Sequence, residues 1–211
     1  MAPIVNETTM TSRTTQTTPN PGTVPGFIPL HGGYKKLLSY QKTVIIYDGT
    51  VSFCDRYIDR YSRTRDQMIQ AARSGKQNII EGSMASATSK ETEIKLTNVA
   101  RASLEELLED YRDFLRPRRL AEWETNHPYA RRLSELCRVP NPVYATFQKG
   151  IEHPDPAIVA NVMIGLTRVA IHLLTRQLKH LESAFIKEGG LRERMTRARL
   201  SERATPHIPR P

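Results

Sequence analysis

Two glycines on one face of a predicted helix constrain this chain more than any other feature. In residues 67–83, small side chains recur at steps of three and four, the spacing of one helix face: Met68, Ala71, Gly75, Asn78 and Gly82. A glycine inside a helix costs about 1 kcal/mol relative to alanine, so two on one face indicate close approach by a neighbouring helix. We therefore predict the inner helix of a packed bundle, with Asn78 as the polar group that fixes its register.

The length and composition indicate one domain with a tail at each end. The chain has 211 residues, 38% of them hydrophobic, enough for a core that needs no disulfide or metal. Cys54 and Cys137 lack the spacing of a metal site or a redox pair, so neither a metal nor a cofactor is expected. Because the sequence lacks a signal-peptide pattern and a run of about 18 apolar residues, we predict a cytoplasmic protein without a membrane segment.

Three further segments have the periodicity of long helices. The first has a heptad pattern formed by Tyr40, Val44, Tyr47, Val51, Cys54, Ile58 and Tyr61. The third has a seam of Leu96, Ala100, Leu104, Leu107, Tyr111 and Phe114. The fourth starts at the Asp155-Pro156 cap and stops at Gly189-Gly190.

These patterns predict an all-α fold, an up-down four-helix bundle with a helical excursion between helices 3 and 4 and disordered termini. Residues 1–30 form a disordered Thr/Pro-rich arm, residues 31–190 the bundle, and residues 191–211 a basic C-terminal tail. The excursion covers residues 117–154, where prolines separate short apolar pieces and Pro128 can open a helix that reaches about Cys137.

The charge balance favours an anionic partner. The net charge is +9 and the isoelectric point is about 9.8, and lysine and arginine bind phosphate backbones through charge without reading sequence. The residues predicted to contact nucleic acid are Lys35, Lys36, Lys76, Arg116, Arg118, Arg119, Arg131, Arg192, Arg194, Arg197 and Arg199.

Nothing in the sequence predicts catalysis. It contains no GxSxG, P-loop or HExxH motif, and no catalytic or metal-binding residue is predicted. The third helix carries four carboxylates that are more typical of a solvated helix face than of an acid/base pair or a metal cluster: Glu105, Glu106, Glu109 and Asp110. His172 and His180 are interpreted as packing or surface histidines.

Two groups of residues resemble a known family. The first is Ala71, Ala72, Ser74, Asn78, Ile79, Glu81, Gly82 and Ser83. The second is Leu96, Ala100, Arg101, Ser103, Leu104, Glu106 and Leu107. Together they resemble the bacterial four-helix bundle family that includes the 23S rRNA intervening-sequence proteins and the accessory proteins of diversity-generating retroelements.

The resemblance implies up-down bundles that assemble as rings, often pentamers. For the retroelement accessory proteins it also implies binding to a reverse transcriptase and to nucleic acid through basic surfaces. The motif residues are interpreted as architectural: Ala71, Gly75, Asn78, Glu81, Gly82 and Arg101. We further hypothesise that Glu81 and Arg101 form an ion pair that fixes the order of the helices.

The sequence is compatible with two functions. The first is a non-enzymatic homo-oligomeric bundle that binds RNA or DNA backbone, for instance as an accessory factor. The second is a protein–protein adaptor or structural assembly module that does not bind nucleic acid.

Overall fold

The computed structural model describes residues 33–204, and all regular structure in this part of the chain is helical. Its α-helices are α1 (Leu38–Tyr57), α2 (Arg63–Ala85), α3 (Lys90–Leu115), α4 (Pro128–Cys137), α5 (Tyr144–Ile151), α6 (Pro156–Glu188) and α7 (Leu191–Ala204). Short 3-10 turns occupy Gly33–Lys36 and Arg116–Arg118. The all-α prediction is confirmed, and the predicted arm at residues 1–30 lies outside the described residues.

The four long helices contact one another in a closed cycle, in which α1 and α3 each pack against both α2 and α6. Near the start of α1, the Ser39 hydroxyl donates to Oε1 of Gln177 late in α6, at 2.9 Å. Near the end of α1, Arg56 donates to the carbonyl of Ile151, just before α6 begins. The two helices are therefore antiparallel. We call the end where α1 and α3 finish the upper end, and the opposite end the lower end.

The chain has more helices than the predicted four. The excursion contributes α4 and α5, and α4 runs from Pro128 to Cys137 as the sequence predicts. The C-terminal segment was expected to be disordered, but it is helical over Leu191–Ala204. Arginine, leucine and methionine all favour helices, so the sequence of this segment is compatible with α7. Its charged composition alone is equally typical of a solvated tail.

The small-residue face of α2 packs directly against α3. Met68, Ala71, Gly75 and Gly82 are buried. A Cβ atom on Gly75 would lie 2.7 Å from Cδ2 of Leu104, and one on Gly82 would lie 3.4 Å from the carbonyl oxygen of Glu93. The predicted close approach is therefore present, and it is tightest at Gly75.

Asn78 is only half-buried, and its hydrogen bonds stay on its own helix. Its Nδ2 atom donates to the carbonyl oxygen of Ser74 at 2.9 Å and to the Ser74 hydroxyl at 3.1 Å. The Ser74 and Ser103 hydroxyls lie 3.0 Å apart, and Ser103 also donates to the carbonyl of Val99 at 3.1 Å. The polar link between α2 and α3 is thus a serine pair that Asn78 supports.

The heptad pattern predicted for α1 is not its buried face. Of those seven residues only Cys54 is fully buried, and Tyr61 lies beyond the helix with 79% of its surface exposed. The face turned to the core carries Ser39, Lys42, Thr43, Ile45, Ile46, Gly49, Thr50, Phe53 and Cys54. Because several of these residues are polar, a search for apolar periodicity selects the neighbouring face, from which Tyr40, Tyr47 and Ile58 pack partly buried against the core.

Two buried threonines of α1 form hydrogen bonds to backbone carbonyls of their own helix. Thr43 donates to the carbonyl of Tyr40 at 2.8 Å, and Thr50 donates to the carbonyl of Ile46 at 2.7 Å. A threonine that bonds the preceding turn leaves no unpaired hydroxyl in the core. Thr50 also accepts a hydrogen bond at 3.0 Å from the hydroxyl of the fully buried Tyr111 on α3.

The inserted helices α4 and α5 both pack against α6, and α5 also packs against α1. Leu133 is the one buried residue of α4, and its Cδ2 atom would lie 2.4 Å from a Cβ atom built on Gly165. On α5, Gly150 faces Val162, whose Cγ2 atom would lie 3.0 Å from an added Cβ. Each short helix therefore meets α6 at a glycine.

One stretch of the described chain, Pro156–Arg203, is long and apolar enough to cross a membrane by length and composition. In its most apolar window, 56% of the residues are buried inside the fold. Core helices of globular proteins share this property, so the stretch is weak evidence for a membrane segment.

Candidate functional site

The structure places most of the predicted nucleic-acid-binding residues at the two ends of the fold, and it places Lys76 in the middle of α2. Arg116, Arg118 and Arg119 follow α3 at the upper end, and Arg131 lies on α4. Lys35 and Lys36 precede α1 at the lower end, where α7 carries the remaining arginines. At 1.5 Å per residue, the 26 residues of α3 separate the ends by about 39 Å. The predicted residues therefore do not form one surface.

Several of these side chains serve the fold. Lys76 places its Nζ atom 3.9 Å from the centre of the Tyr47 ring. Arg118 lies 3.9 Å from the centre of the Phe114 ring, and it donates to the Phe114 carbonyl at 2.9 Å. Arg194 donates to the carbonyl of Ala87 at 3.4 Å, which ties α7 to the turn between α2 and α3.

Among the residues predicted to bind nucleic acid, the largest group of exposed side chains lies at the lower end of the fold. We define the lower basic surface as Lys35, Lys36, Arg192, Arg197 and Arg199, all of which are exposed. Within residues 33–204, none of the five forms an ion pair with a carboxylate. Arg197 donates to the carbonyl of Glu188, which holds α7 against the end of α6.

The hypothesised ion pair between Glu81 and Arg101 is absent from the described structure. Glu81 is exposed, whereas Arg101 pairs on its own helix with Glu105 at 3.7 Å and donates to Asn98 at 3.0 Å. The prediction is wrong because both partners of Arg101 lie one helical turn away on α3, where they reach it without crossing to α2.

The most unusual side chain of the core was not predicted. Lys42 is 2% exposed, and its Nζ atom has no hydrogen-bond partner among the described residues. It lies 4.8 Å from the centre of the Phe147 ring on α5. Burial lowers the pKa of Lys42, and the nearby Cys137 opposes this shift. In the sequence Lys42 cannot be distinguished from a surface lysine, so its burial could not be predicted.

Burial shifts the pKa values of both cysteines and of one carboxyl on the acidic face of α3. Burial raises the pKa of Cys54 to about 12 and also raises the pKa of Cys137, so both thiols stay protonated near neutrality. Burial, Asp113 and Glu106 raise the pKa of Asp110 to about 6. In the part of the chain that is described, no three His, Cys, Asp or Glu residues are placed to hold a metal ion.

The segment before α4 is fixed by a buried asparagine on α6. Asn161 is 3% exposed, and its Oδ1 atom accepts a hydrogen bond from the backbone N–H of Trp123 at 2.7 Å. Its Nδ2 atom donates to the carbonyls of Ala121 and Ala157, both at 2.9 Å. This places Trp123 beside His127, with the two rings stacked 4.9 Å apart at an interplanar angle of 7°.

Two clefts lie on either side of α4 and share Trp123 and Leu133 as walls. One has a volume of about 790 Å³ and includes Glu122, Glu124 and Arg168 in its lining. The other has a volume of about 430 Å³ and lies between α4, α5 and α6. Both volumes are within the usual range of small-molecule sites, roughly 300–1,000 Å³.

Comparisons with known proteins identify no family for this chain. No protein-family model, curated protein or solved structure matches the chain.

Proposed function

We propose that the chain is a non-enzymatic four-helix bundle that binds the backbone of RNA or DNA through its lower basic surface. In this proposal α1, α2, α3 and α6 form the bundle, in up-down order, and α4, α5 and α7 are additions to it. The observation that carries the proposal is the exposed helix α7, which presents Arg192, Arg197 and Arg199 at the same end as Lys35 and Lys36.

The physical basis is the release of counterions. Each phosphate that a lysine or arginine neutralises frees condensed cations, so binding weakens as salt concentration rises. The five residues of the lower basic surface have no carboxylate partner within the described residues, so phosphates need not compete with internal ion pairs. Contacts of this kind set affinity and leave base sequence unread.

We further propose that the chain forms a homo-oligomer in the cytoplasm. The support is the set of motif residues on α2 and α3 and their resemblance to the ring-forming family, in which pentamers are frequent. An oligomer would repeat a weak basic surface and raise avidity without new contacts. By the same resemblance, a reverse transcriptase is a candidate protein partner.

The test is nucleic-acid binding as a function of salt, measured by fluorescence anisotropy with a labelled single-stranded RNA. The variant Arg192→Gln/Arg199→Gln should bind more weakly and lower the salt slope by about 1.4, because each lost contact to a single strand is worth about 0.7. The matched control Arg119→Gln/Arg131→Gln removes the same charge away from the lower end and should leave the slope unchanged. Equal losses in both variants, or no binding by the parent at low salt, would refute the proposal.

The adaptor function is the second candidate, and exposed apolar residues near the lower end favour it. Ile186 is 76% exposed, Leu200 58% and Met195 40%. Side chains of this size in water are typical of protein contact surfaces when they lie together. A partner recovered with the chain after nuclease treatment at high salt, and lost with Ile186→Glu, would support this function over the first.

A further inference from the structure

The smaller cleft has the walls of a site for a flat apolar molecule. We call it the α4–α5 cleft, because these two helices close over α6 to form it. Its apolar lining consists mainly of Trp123, Tyr129, Leu136, Phe147, Ile158 and Val162. The Trp123 and Tyr129 rings lie 5.4 Å apart at 51°, so they offer two differently oriented aromatic surfaces.

The titratable side chains that line the α4–α5 cleft are basic or phenolic. Arg132, Lys149 and His153 line it, and none of the described residues that line it is acidic. The neighbouring cleft is different, since Glu122 and Glu124 line it beside Arg168. An apolar cavity with a cationic rim complements a ligand that has an apolar body and a negative group.

The three basic side chains that line the cleft can each donate a hydrogen bond to an anion. Lys149 has no ion pair within residues 33–204. Arg132 pairs with Glu135 at 2.9 Å, but the two side chains are 69% and 59% exposed, so this pair contributes little. The Nδ1 atom of His153 accepts from the backbone N–H of Asp155 at 3.0 Å, which leaves Nε2–H as a donor.

We propose that the α4–α5 cleft binds a small aromatic organic anion, such as an aromatic carboxylate. The aromatic body packs against the wall that Trp123 and Tyr129 form, and the negative group reaches Arg132 and Lys149. This site is distinct from the lower basic surface, because α5 and the first turns of α6 belong to the upper half of the fold. It therefore goes beyond the proposed nucleic-acid function and does not depend on it.

Trp123 provides the measurement, since it is the one tryptophan in the sequence and it lines the cleft. The full-length chain is titrated with biphenyl carboxylate and, in parallel, with the neutral biphenyl methanol, and tryptophan fluorescence is followed. Calorimetry confirms the stoichiometry. The carboxylate is expected to change the fluorescence saturably, with one site per chain and an affinity at least about tenfold above that of the alcohol.

Two charge variants test the geometry. Arg132→Gln/Lys149→Gln should remove the preference for the carboxylate and leave the affinity for the alcohol nearly unchanged. The control Arg131→Gln alters the adjacent exposed arginine of α4, which does not line the cleft, and should keep the preference. All three residues are exposed, so the variants are expected to fold, and circular dichroism verifies this. The proposal fails if the fluorescence does not saturate, if acid and alcohol bind equally to the parent, or if Arg131→Gln loses the preference as the double variant does.

Discussion

Lys42 shows how one residue of the core can oppose the stability of the fold. Its amine nitrogen is buried without a hydrogen-bond partner among the described residues, and it lies 4.8 Å from the centre of the Phe147 ring, within the range of a cation–π contact. A charge in such a place is unfavourable unless it is neutralised or paired. Burial lowers the pKa of Lys42, because the charged form is less stable in this site than in water.

We expect Lys42→Met to stabilise the fold by about 1–2 kcal/mol at neutral pH, because methionine fills a similar volume without a charge. The pKa of Lys42 is lower in the folded state than the unfolded value of 10.5. Parent stability should therefore rise with pH between the lowered pKa and 10.5, so the advantage of the variant shrinks across that window. Urea unfolding at neutral and at alkaline pH measures this, with the exposed Lys149→Met as control. A less stable variant at neutral pH would contradict the prediction.

Asp110 gives the opposite pH dependence. Its pKa is raised from 3.8 to about 6 by burial and by Asp113 and Glu106. Between these values the folded state binds more protons than the unfolded state, so stability falls as pH rises through this window. At pH above 7, Asp110→Asn should stabilise the fold by about 1 kcal/mol, after a discount for partial solvent screening.

This difference should disappear below about pH 3, where the carboxyl is protonated in both states. Thermal unfolding at several pH values checks it, and Asp48→Asn on the exposed side of α1 is the control. A stabilisation by Asp110→Asn that is equal at acid and neutral pH would show that desolvation of the carboxylate is not the cause.

At the level of helices, the contact between α2 and α3 depends on Gly75 more than on Gly82. An added Cβ on Gly75 would meet Cδ2 and Cγ of Leu104 at 2.7 and 3.0 Å, and Leu104 is fully buried. On Gly82 the nearest atoms would be at 3.4 Å, which is ordinary contact. The same substitution should therefore have opposite signs at the two positions.

We expect Gly75→Ala to lower the free energy of unfolding by about 1–2 kcal/mol, since overpacking outweighs the better helix propensity of alanine. Gly82→Ala is the matched control on the same helix and should be neutral or stabilising by up to about 1 kcal/mol. Urea denaturation of both variants measures the difference. The packing explanation would be wrong if Gly75→Ala were as stable as Gly82→Ala.

Helix boundaries followed from the sequence where capping residues were unambiguous. The cap at Asp155, whose Oδ1 atom accepts from the N–H of Ala157 at 2.8 Å, and the stop at Gly189 define α6 as predicted. The buried side of α1 could not be predicted in this way. Its threonines are compatible with a core only because they bond their own helix, and that compensation is visible only once the backbone is placed.

For the whole molecule, the sequence predicted the helical class and the cationic character but not the arrangement of the functional surfaces. The predicted arginines are separated by the length of α3, because the chain reverses direction at each end. The α4–α5 cleft also depends on how the excursion folds back over α6. Asn161 and Gly165 position it there, and neither residue forms a recognisable motif with Trp123 or Leu133.

The single buried leucine of α4 has a consequence for the cleft that it closes. We expect a short helix with one fully buried residue to open more readily than the long helices beneath it, since local opening follows the amount of buried contact. α4 forms a wall of the cavity, so opening of this helix would expose the cavity to solvent. If the cleft binds a ligand, we expect the rates of association and dissociation to depend on the contact between Leu133 and Gly165, and a tighter contact there would slow both.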